Sequence, residues 1–299
     1  MILLGACRSE EPVRPPAPTP PVVAPAAEVR LTPDRLAISA VMVAELSTNA
    51  DRPATFSAAI EDVVRDAWKE RGALPWAPDR AGADGGFEVR AAYIVQLLDG
   101  DEPRPAADEG TLYVAVRAEA ERRVRGVTAE LYRDEQRREA AWRKGAPVGA
   151  TVEGLLGDVT RVAKERLEAR ILVHHVEDAE LLRLLREGGA AERSQAAVEA
   201  GERRLTAAVP VLIDALGSDD TALLESVAVT LGRLRDERAV RPLARLTSSN
   251  DPDVLRAAVH ALGDLDSELA RRYLGEMAES HAHALVRDLA REMLDREAP

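Results

Sequence analysis

The chain has 299 residues, a formal net charge of −12 and 46% hydrophobic residues, which is enough to build cores. Its single cysteine, Cys7, excludes intramolecular disulfides, and it excludes cysteine-based metal or thiol chemistry in the folded part. The acidic balance disfavours nucleic acid as a partner because phosphate binding needs a basic face, and no apolar run is long enough to span a bilayer.

Residues 1–7 carry a short motif that resembles the end of a bacterial lipoprotein signal. Leu4-Gly5-Ala6-Cys7 matches the lipobox, in which the cysteine becomes the acylated first residue. The resemblance implies a lipid at Cys7 and a periplasmic, membrane-anchored place in the cell envelope. Arg8 rather than Asp follows, which in the enteric pattern implies the outer membrane. The alternative is a cytoplasmic protein with an incidental early cysteine.

The segment 1–7 is shorter than a complete signal, which needs an apolar stretch of roughly 7–15 residues, so we interpret it as a signal remnant. Residues 8–28 are rich in proline and alanine, a composition that stays extended and cannot form a packed core. They predict a disordered tether. At about 3.1 Å per residue in polyproline II geometry, it reaches roughly 60 Å from a membrane surface.

Residues 29–176 predict a small α/β domain in the order strand, helix, three strands, helix. Periods of two indicate the strands and periods of 3.6 the helices. The predicted strands are residues 35–46, 89–97, 112–118 and 127–132, and the predicted helices are residues 53–71 and 151–173. The order is similar to that of periplasmic assembly lipoproteins and of the amino-terminal domain of Tol-type periplasmic proteins. That likeness is topological, and no motif carries it.

Residues 177–299 repeat at a fixed spacing of 31. Such a period is typical of a helical-repeat array, whereas a plain antiparallel bundle, the alternative, does not require one. Terminal repeats with a more polar face are expected as caps. The residues in register are Gly201, Gly232 and Gly263, and Leu181, Leu212, Leu243 and Leu274.

One repeat resembles a known family closely. The stretch NDPDVLRAAVHALGDL, residues 250–265, matches the short bacterial form of the HEAT repeat, with Asp251 as helix N-cap and Pro252 at the first helical position. Gly263 is expected to let the next helix approach. The resemblance implies an α-solenoid, so the chain is predicted to be α+β: a small α/β domain followed by an all-α HEAT-repeat solenoid. It also implies a scaffold that binds protein partners.

The second helix of each pair is expected to line a concave face that holds the partner. Polar positions opposite its apolar stripe would then form adjoining rungs of one surface, although a bare solvated face has the same pattern. The candidate partner-binding residues are Glu225, Val229, Arg233, Arg256, His260 and Asp264.

The sequence contains no convergent catalytic constellation, so we predict no catalytic residue, no metal site, no cofactor and no small-molecule substrate. The histidines at 174–175 and at 281 and 283 are interpreted as solvated or helix-capping. The mixed run 117–144 balances acids against arginines and is interpreted as a solvated face. The alternative function is an enzyme or enzyme helper, because some short HEAT-repeat proteins resemble chromophore lyases or their subunits.

Overall fold

The structure is a computed structural model. It describes residues 31–46, 60–80, 86–99, 102–103, 109–124, 127–143 and 148–296. The signal remnant 1–7 with Cys7 and the tether 8–28 lie outside these residues. The strands are β1 (Ala37–Glu45), β2 (Gly86–Asp99), β3 (Glu102–Pro103), β4 (Glu109–Val124) and β5 (Val127–Arg143). The helices are α1 (Ile60–Lys69), α2 (Val148–His175), α3 (Asp178–Glu187), α4 (Ala190–Glu202), α5 (Val209–Ala215), α6 (Thr221–Leu234), α7 (Val240–Leu246), α8 (Pro252–Asp264), α9 (Glu268–Ser280) and α10 (Ala284–Arg296).

The strands form one sheet in the order β1-β2-β4-β5, with β3 paired to β2. β1 runs parallel to β2, and the other neighbours are antiparallel. Alternate residues of β4, such as Leu112, Val114 and Val116, are fully buried because α1 and α2 cover that face of the sheet. The α+β class is therefore confirmed, with a sheet region first and a run of helices after it.

The prediction for the third strand of the meander was too short. Residues 127–132 were expected, whereas β5 extends to Arg143 and pairs along the whole of β4. Opposite charges face each other across the two strands, as in Arg117 with Glu135 and Arg133 with Glu119. Such cross-strand pairs stabilise a strand that has few apolar residues.

The first helix is described only from Ile60, so its predicted start at residue 53 lies outside the described residues. Its buried side chains are Ile60, Val64, Ala67 and Trp68, whereas Val63, which the predicted stripe included, is half-buried. The buried face of α1 is therefore rotated slightly from the predicted one, and Trp68 packs in the core beside α2.

The helices α3 to α10 form four antiparallel pairs that stack side by side. The second helices α4, α6, α8 and α10 contact one another in sequence, and α2 packs against α4 at the start of the stack. The four leucines predicted to be in register, at positions 181, 212, 243 and 274, are all at most 1% exposed. Among the described residues, no helix has the length and hydropathy needed to cross a membrane.

Two hydrophobic cores meet on α2. The sheet core includes Leu167 and Ile171, the repeat core begins with Val173 and Val176, and Leu172 packs against both. One continuous helix thus joins the sheet to the repeats, which makes its C-terminal end the place where the two regions are held together.

Candidate partner-binding surface

The second helices of the middle repeats begin in the same way. The side chain of Asp220 accepts hydrogen bonds from two backbone N–H groups in the first turn of α6, and Asp251 does the same for α8. Pro252 follows Asp251 at a position where no N–H is needed. The predicted N-cap at Asp251 is confirmed. Because both caps lie 31 residues apart, equivalent residues of the two helices occupy equivalent places in the stack.

The repeated glycines set the distance between second helices. A Cβ atom on Gly232 would lie 2.9 Å from the Cα atom of Ala261 on α8, closer than side chains pack. On Gly201 and Gly263 it would lie 3.1 and 3.0 Å from side-chain atoms of the following second helix. The close approach predicted at Gly263 is confirmed, and it recurs at each junction between second helices in the stack.

The six candidate residues follow the outward side of α6 and α8. Val229 is 42% exposed, which is unusual for a large apolar side chain on a helix whose other face is buried. Arg256 forms an ion pair with Asp253, with 2.8 Å between Nη1 and Oδ1. Their role in binding stays a prediction. The exposed members are Val229, Arg233, Arg256 and Asp264, and the half-buried ones are Glu225 and His260.

An acidic cluster lies where α6 meets the beginning of α8. One carboxylate oxygen from each of Glu225, Asp251 and Asp253 lies within 4.8 Å of the others. Burial and then the charges of Asp253 and Asp251 raise the pKa of Glu225, while Arg256 and Arg166 act in the opposite direction. Exposed acidic groups are common without an ion, so we assign no metal to them. The structure does bring Glu225 and Arg256, one of the predicted rung pairs, near each other.

A groove of about 820 Å³ runs along the C-terminal ends of the second helices. Arg233 of α6 and Asp264 of α8, another predicted rung pair, both line it. Sequence reasoning missed two further members, Arg204 and Arg235, which follow α4 and α6. Both have a left-handed backbone with φ of 52°, and they occupy equivalent positions of two repeats. The 31-residue register could have found them.

A second cleft, of about 980 Å³, lies between the first helices α7 and α9. Its lining is half apolar, with Tyr273 and Met277 beside Arg241 and Glu276. His281 lies at one end, where burial and then the neighbouring charge of His283 lower its pKa. The turn predicted around His281 is present between α9 and α10.

The interpretation of the other histidine pair as solvated or helix-capping was wrong for His175. This side chain is buried at the end of α2, where its Nδ1 accepts a hydrogen bond from the backbone N–H of Leu31 at 3.0 Å. Its ring proton must then lie on Nε2, which is 2.8 Å from Oε2 of Glu130. Tyr132 donates a further hydrogen bond to the same oxygen at 2.9 Å.

The interpretation of run 117–144 as a solvated face was also wrong at its centre. Arg122 is 5% exposed, and its Nε donates to Oε1 of Glu130 at 2.9 Å. Burial alone would raise the pKa of Glu130, but hydrogen bonds from His175 and Arg122 outweigh it and lower the pKa to about 2. Because Glu130 comes close to α2 only through the pairing of β5 with β4, sequence reasoning did not place it there.

A second polar set fixes the first repeat to the same helix end. Arg203 of α4 donates hydrogen bonds to the backbone carbonyls of Val173 and Val176 at 2.7 and 2.8 Å, and its Nε donates to Glu199 at 2.7 Å. His174 lies 3.6 Å from the same carboxylate. A buried guanidinium that satisfies the last carbonyls of α2 holds the repeat array against the sheet region.

The stacked helix pairs define the C-terminal region as a helical-repeat array, and the comparison with known families names the repeat. Residues 209–295, which include α5 to α10, match the family model described as HEAT repeats. The C-terminal part is thus a HEAT-repeat region, as predicted. HEAT repeats are typically protein-interaction scaffolds and are generally non-catalytic. No match to a curated protein was found.

Proposed function

We propose that this protein is a lipid-anchored scaffold of the bacterial cell envelope that holds a protein partner on the second helices of its HEAT repeats. One observation carries the binding part of the proposal: equivalent residues of α6 and α8 form an outward row that combines charges with the exposed side chain of Val229. A row that only solvates the helices would not need an apolar member.

The anchoring part of the proposal rests on Cys7, the lipobox before it and the tether after it. Acyl chains on this cysteine would hold the protein on the periplasmic side of the membrane, with the outer membrane as the expected place because Arg8 follows. The topological likeness of the sheet region to periplasmic assembly lipoproteins agrees with that location.

The enzyme or enzyme-helper alternative would require ionisable groups that converge in a pocket. Ionisable groups that the described residues bury, such as Glu130 and Glu168, contact other protein groups and lie outside the clefts. The clefts are instead lined by exposed arginines and half-buried side chains, which suits the capture of a macromolecule better than chemistry on a small substrate.

Binding is tested by charge reversal in the exposed row. Arg233→Glu combined with Arg256→Glu should reduce capture of the partner from detergent-solubilised membranes by at least about 10-fold, because reversed charges repel what they once attracted. The matched control is Arg183→Glu with Arg186→Glu on α3. Arg183 is paired within its helix at the same 52% exposure as Arg256, and Arg186 is exposed and unpaired like Arg233.

Stability of both variants should stay within about 1 kcal/mol of the parent, because the changed side chains are exposed, although Arg256→Glu adds a carboxylate beside Glu225, Asp251 and Asp253. Unchanged capture by the folded Arg233 and Arg256 variant would exclude this face. For the anchor, Cys7→Ser should move the protein into the soluble fraction. Retention of that variant on membranes washed with high salt would contradict the lipoprotein assignment.

A further inference from the structure

The groove at the C-terminal ends of the second helices concentrates positive charge in an acidic region. Residues 177–299 contain 16 arginines and no lysine against 24 acidic residues. Three of these arginines, Arg204, Arg233 and Arg235, line one groove together with Asp264. Its remaining lining comes from two glycines, Thr206 and Leu234.

The groove arginines are not neutralised by the protein. Within the described residues, Arg204, Arg233 and Arg235 form no ion pair and no side-chain hydrogen bond. Two nearby arginines do form ion pairs: Arg203 is paired with Glu199, and Arg238 is paired with Asp236. Three unpaired guanidinium groups around one groove create a local field that attracts carboxylates, the anions that arginine binds in a bidentate manner.

The backbone beneath two of these arginines is in a conformation that favours glycine. Arg204 and Arg235 each follow a second helix with φ of 52°, a left-handed backbone that is unfavourable for an L-residue. Strained residues of this kind concentrate at functional sites. The third equivalent position is Asp266, with φ of 46°, and it is paired with Arg271. Arginine therefore holds this position after α4 and after α6, and aspartate holds it after α8.

We propose that this groove binds an extended, acidic segment of a protein partner, with the carboxylates of that segment on Arg204, Arg233 and Arg235. The inference rests on the proposed scaffold function and gives the chemistry of its partner. Asp264 lines the groove beside the arginines, so a flat anionic membrane would bring its charges against that aspartate and the acidic surface around it, whereas a polypeptide segment can place its carboxylates on the arginines alone.

The test uses a labelled decapeptide of alternating glutamate and serine, with an alternating glutamine and serine peptide as its control. The full chain should bind the glutamate peptide at least about 10-fold more tightly, and added salt should weaken that binding. Arg204→Gln with Arg235→Gln should lower the affinity at least about 10-fold. The same charge change at exposed, unpaired positions, Arg186→Gln with Arg272→Gln, should alter it less than about 2-fold.

Equal binding of both peptides, or equal losses in both double variants, would overturn the proposal, because either result means that bulk charge rather than the groove determines binding. A third arm uses phosphatidylcholine vesicles containing phosphatidylglycerol. Vesicle binding that depends on Arg204 and Arg235, without peptide binding, would reassign the groove to a membrane. If the peptide fails while capture still depends on Arg233 and Arg256, the scaffold function stands and only the acidic segment is excluded. Melting curves confirm that each variant is folded.

Discussion

The sheet region and the repeat region of this protein bury different kinds of side chain. The repeat core is almost wholly apolar, and its closest contacts join helices about 30 residues apart, such as Gly232 against Ala261. The sheet region also buries polar groups that lie far apart in sequence, such as His175 and Glu130, which are 45 residues apart. From α5 onwards the repeats therefore depend mainly on volume and spacing, whereas the sheet region and its junction with α4 depend on buried polar groups as well, and each dependence has its own test.

The largest effect is expected from a core truncation in the repeats. Leu262 lies on α8 and is 1% exposed. Leu262→Ala should lower the free energy of unfolding by about 2–5 kcal/mol, because the stacked helices cannot close the cavity that the change leaves. Leu285→Ala, at a side chain that is 36% exposed, is the matched control and should cost less than about 1 kcal/mol. Chemical denaturation measures both. Equal losses would mean that Leu262 is not in the core.

Removing the buried charge at Glu130 tests the other side of the comparison. A pKa lowered from near 4.5 to about 2 means that the ionised carboxylate of Glu130 stabilises the folded state at neutral pH. Because the pKa is lowered on folding, this contribution is fully present above the unfolded value and is lost as the pH falls towards 2. Glu130→Gln should therefore destabilise the protein at pH 7 by about 1–3 kcal/mol, the usual range for a lost hydrogen bond to a charged group, and its stability should fall less between pH 5 and pH 2.5 than that of the parent.

The control for that variant is Glu180→Gln on α3, where the carboxylate pairs with Arg183 at the surface. Solvent screens that ion pair, so Glu180→Gln should lower the free energy of unfolding by less than about 1 kcal/mol at any pH. Parallel pH profiles for the parent and Glu130→Gln would show that the buried cluster does not support the junction.

Replacing glycine by alanine should change the free energy of unfolding in opposite directions at two sites in the repeats. Gly232→Ala places a Cβ atom 2.9 Å from the backbone of α8 and should cost about 1–3 kcal/mol as the helices move apart. Gly275→Ala on α9 meets nothing within 4 Å and should instead stabilise the protein by about 0.5–1 kcal/mol through helix propensity. Thermal unfolding would show the two shifts. The same sign at both sites would contradict close stacking at Gly232.

The smallest effect concerns the strained arginines. Arg235→Gly should raise stability by about 0.5 kcal/mol, since relief of the left-handed strain exceeds the greater entropy of glycine in the unfolded chain. Arg272→Gly, inside α9, should lower it by about 0.5–1 kcal/mol. If Arg235→Gly also weakens acidic peptide binding, the strain is retained for function at a cost in stability.

The α+β order and the repeat array could be predicted from the sequence because their signals are local. A 31-residue register, an N-cap at Asp251 and a glycine at 263 each act within one or two neighbouring helices. The same 31-residue register predicts that Arg233 and Asp264 are neighbours, and both line the groove. Where a residue contacts only the next repeat, its partner lies about one repeat length further along the chain. The partner can therefore be found from the sequence.

The buried ion cluster could not be predicted in this way. Arg122 and Glu130 belong to a run whose alternating charges suit a solvated strand, and only the pairing of β4 with β5 under α2 reveals that these two form an ion pair that is largely removed from water. Lys164 and Glu168 on α2 are similar: Glu168 accepts a hydrogen bond from the backbone N–H of Ala73 at 2.8 Å, a contact across 95 residues. Contacts of that range leave no periodic trace in a single sequence.

The hydrogen bond between Leu31 and His175 has a mechanical consequence. It spans 144 residues of sequence and joins the beginning of the described chain directly to the C-terminal end of α2, where Arg203 also attaches the first repeat. A pull on the segment before Leu31, opposed by a load held on the repeats, would be carried across this one junction.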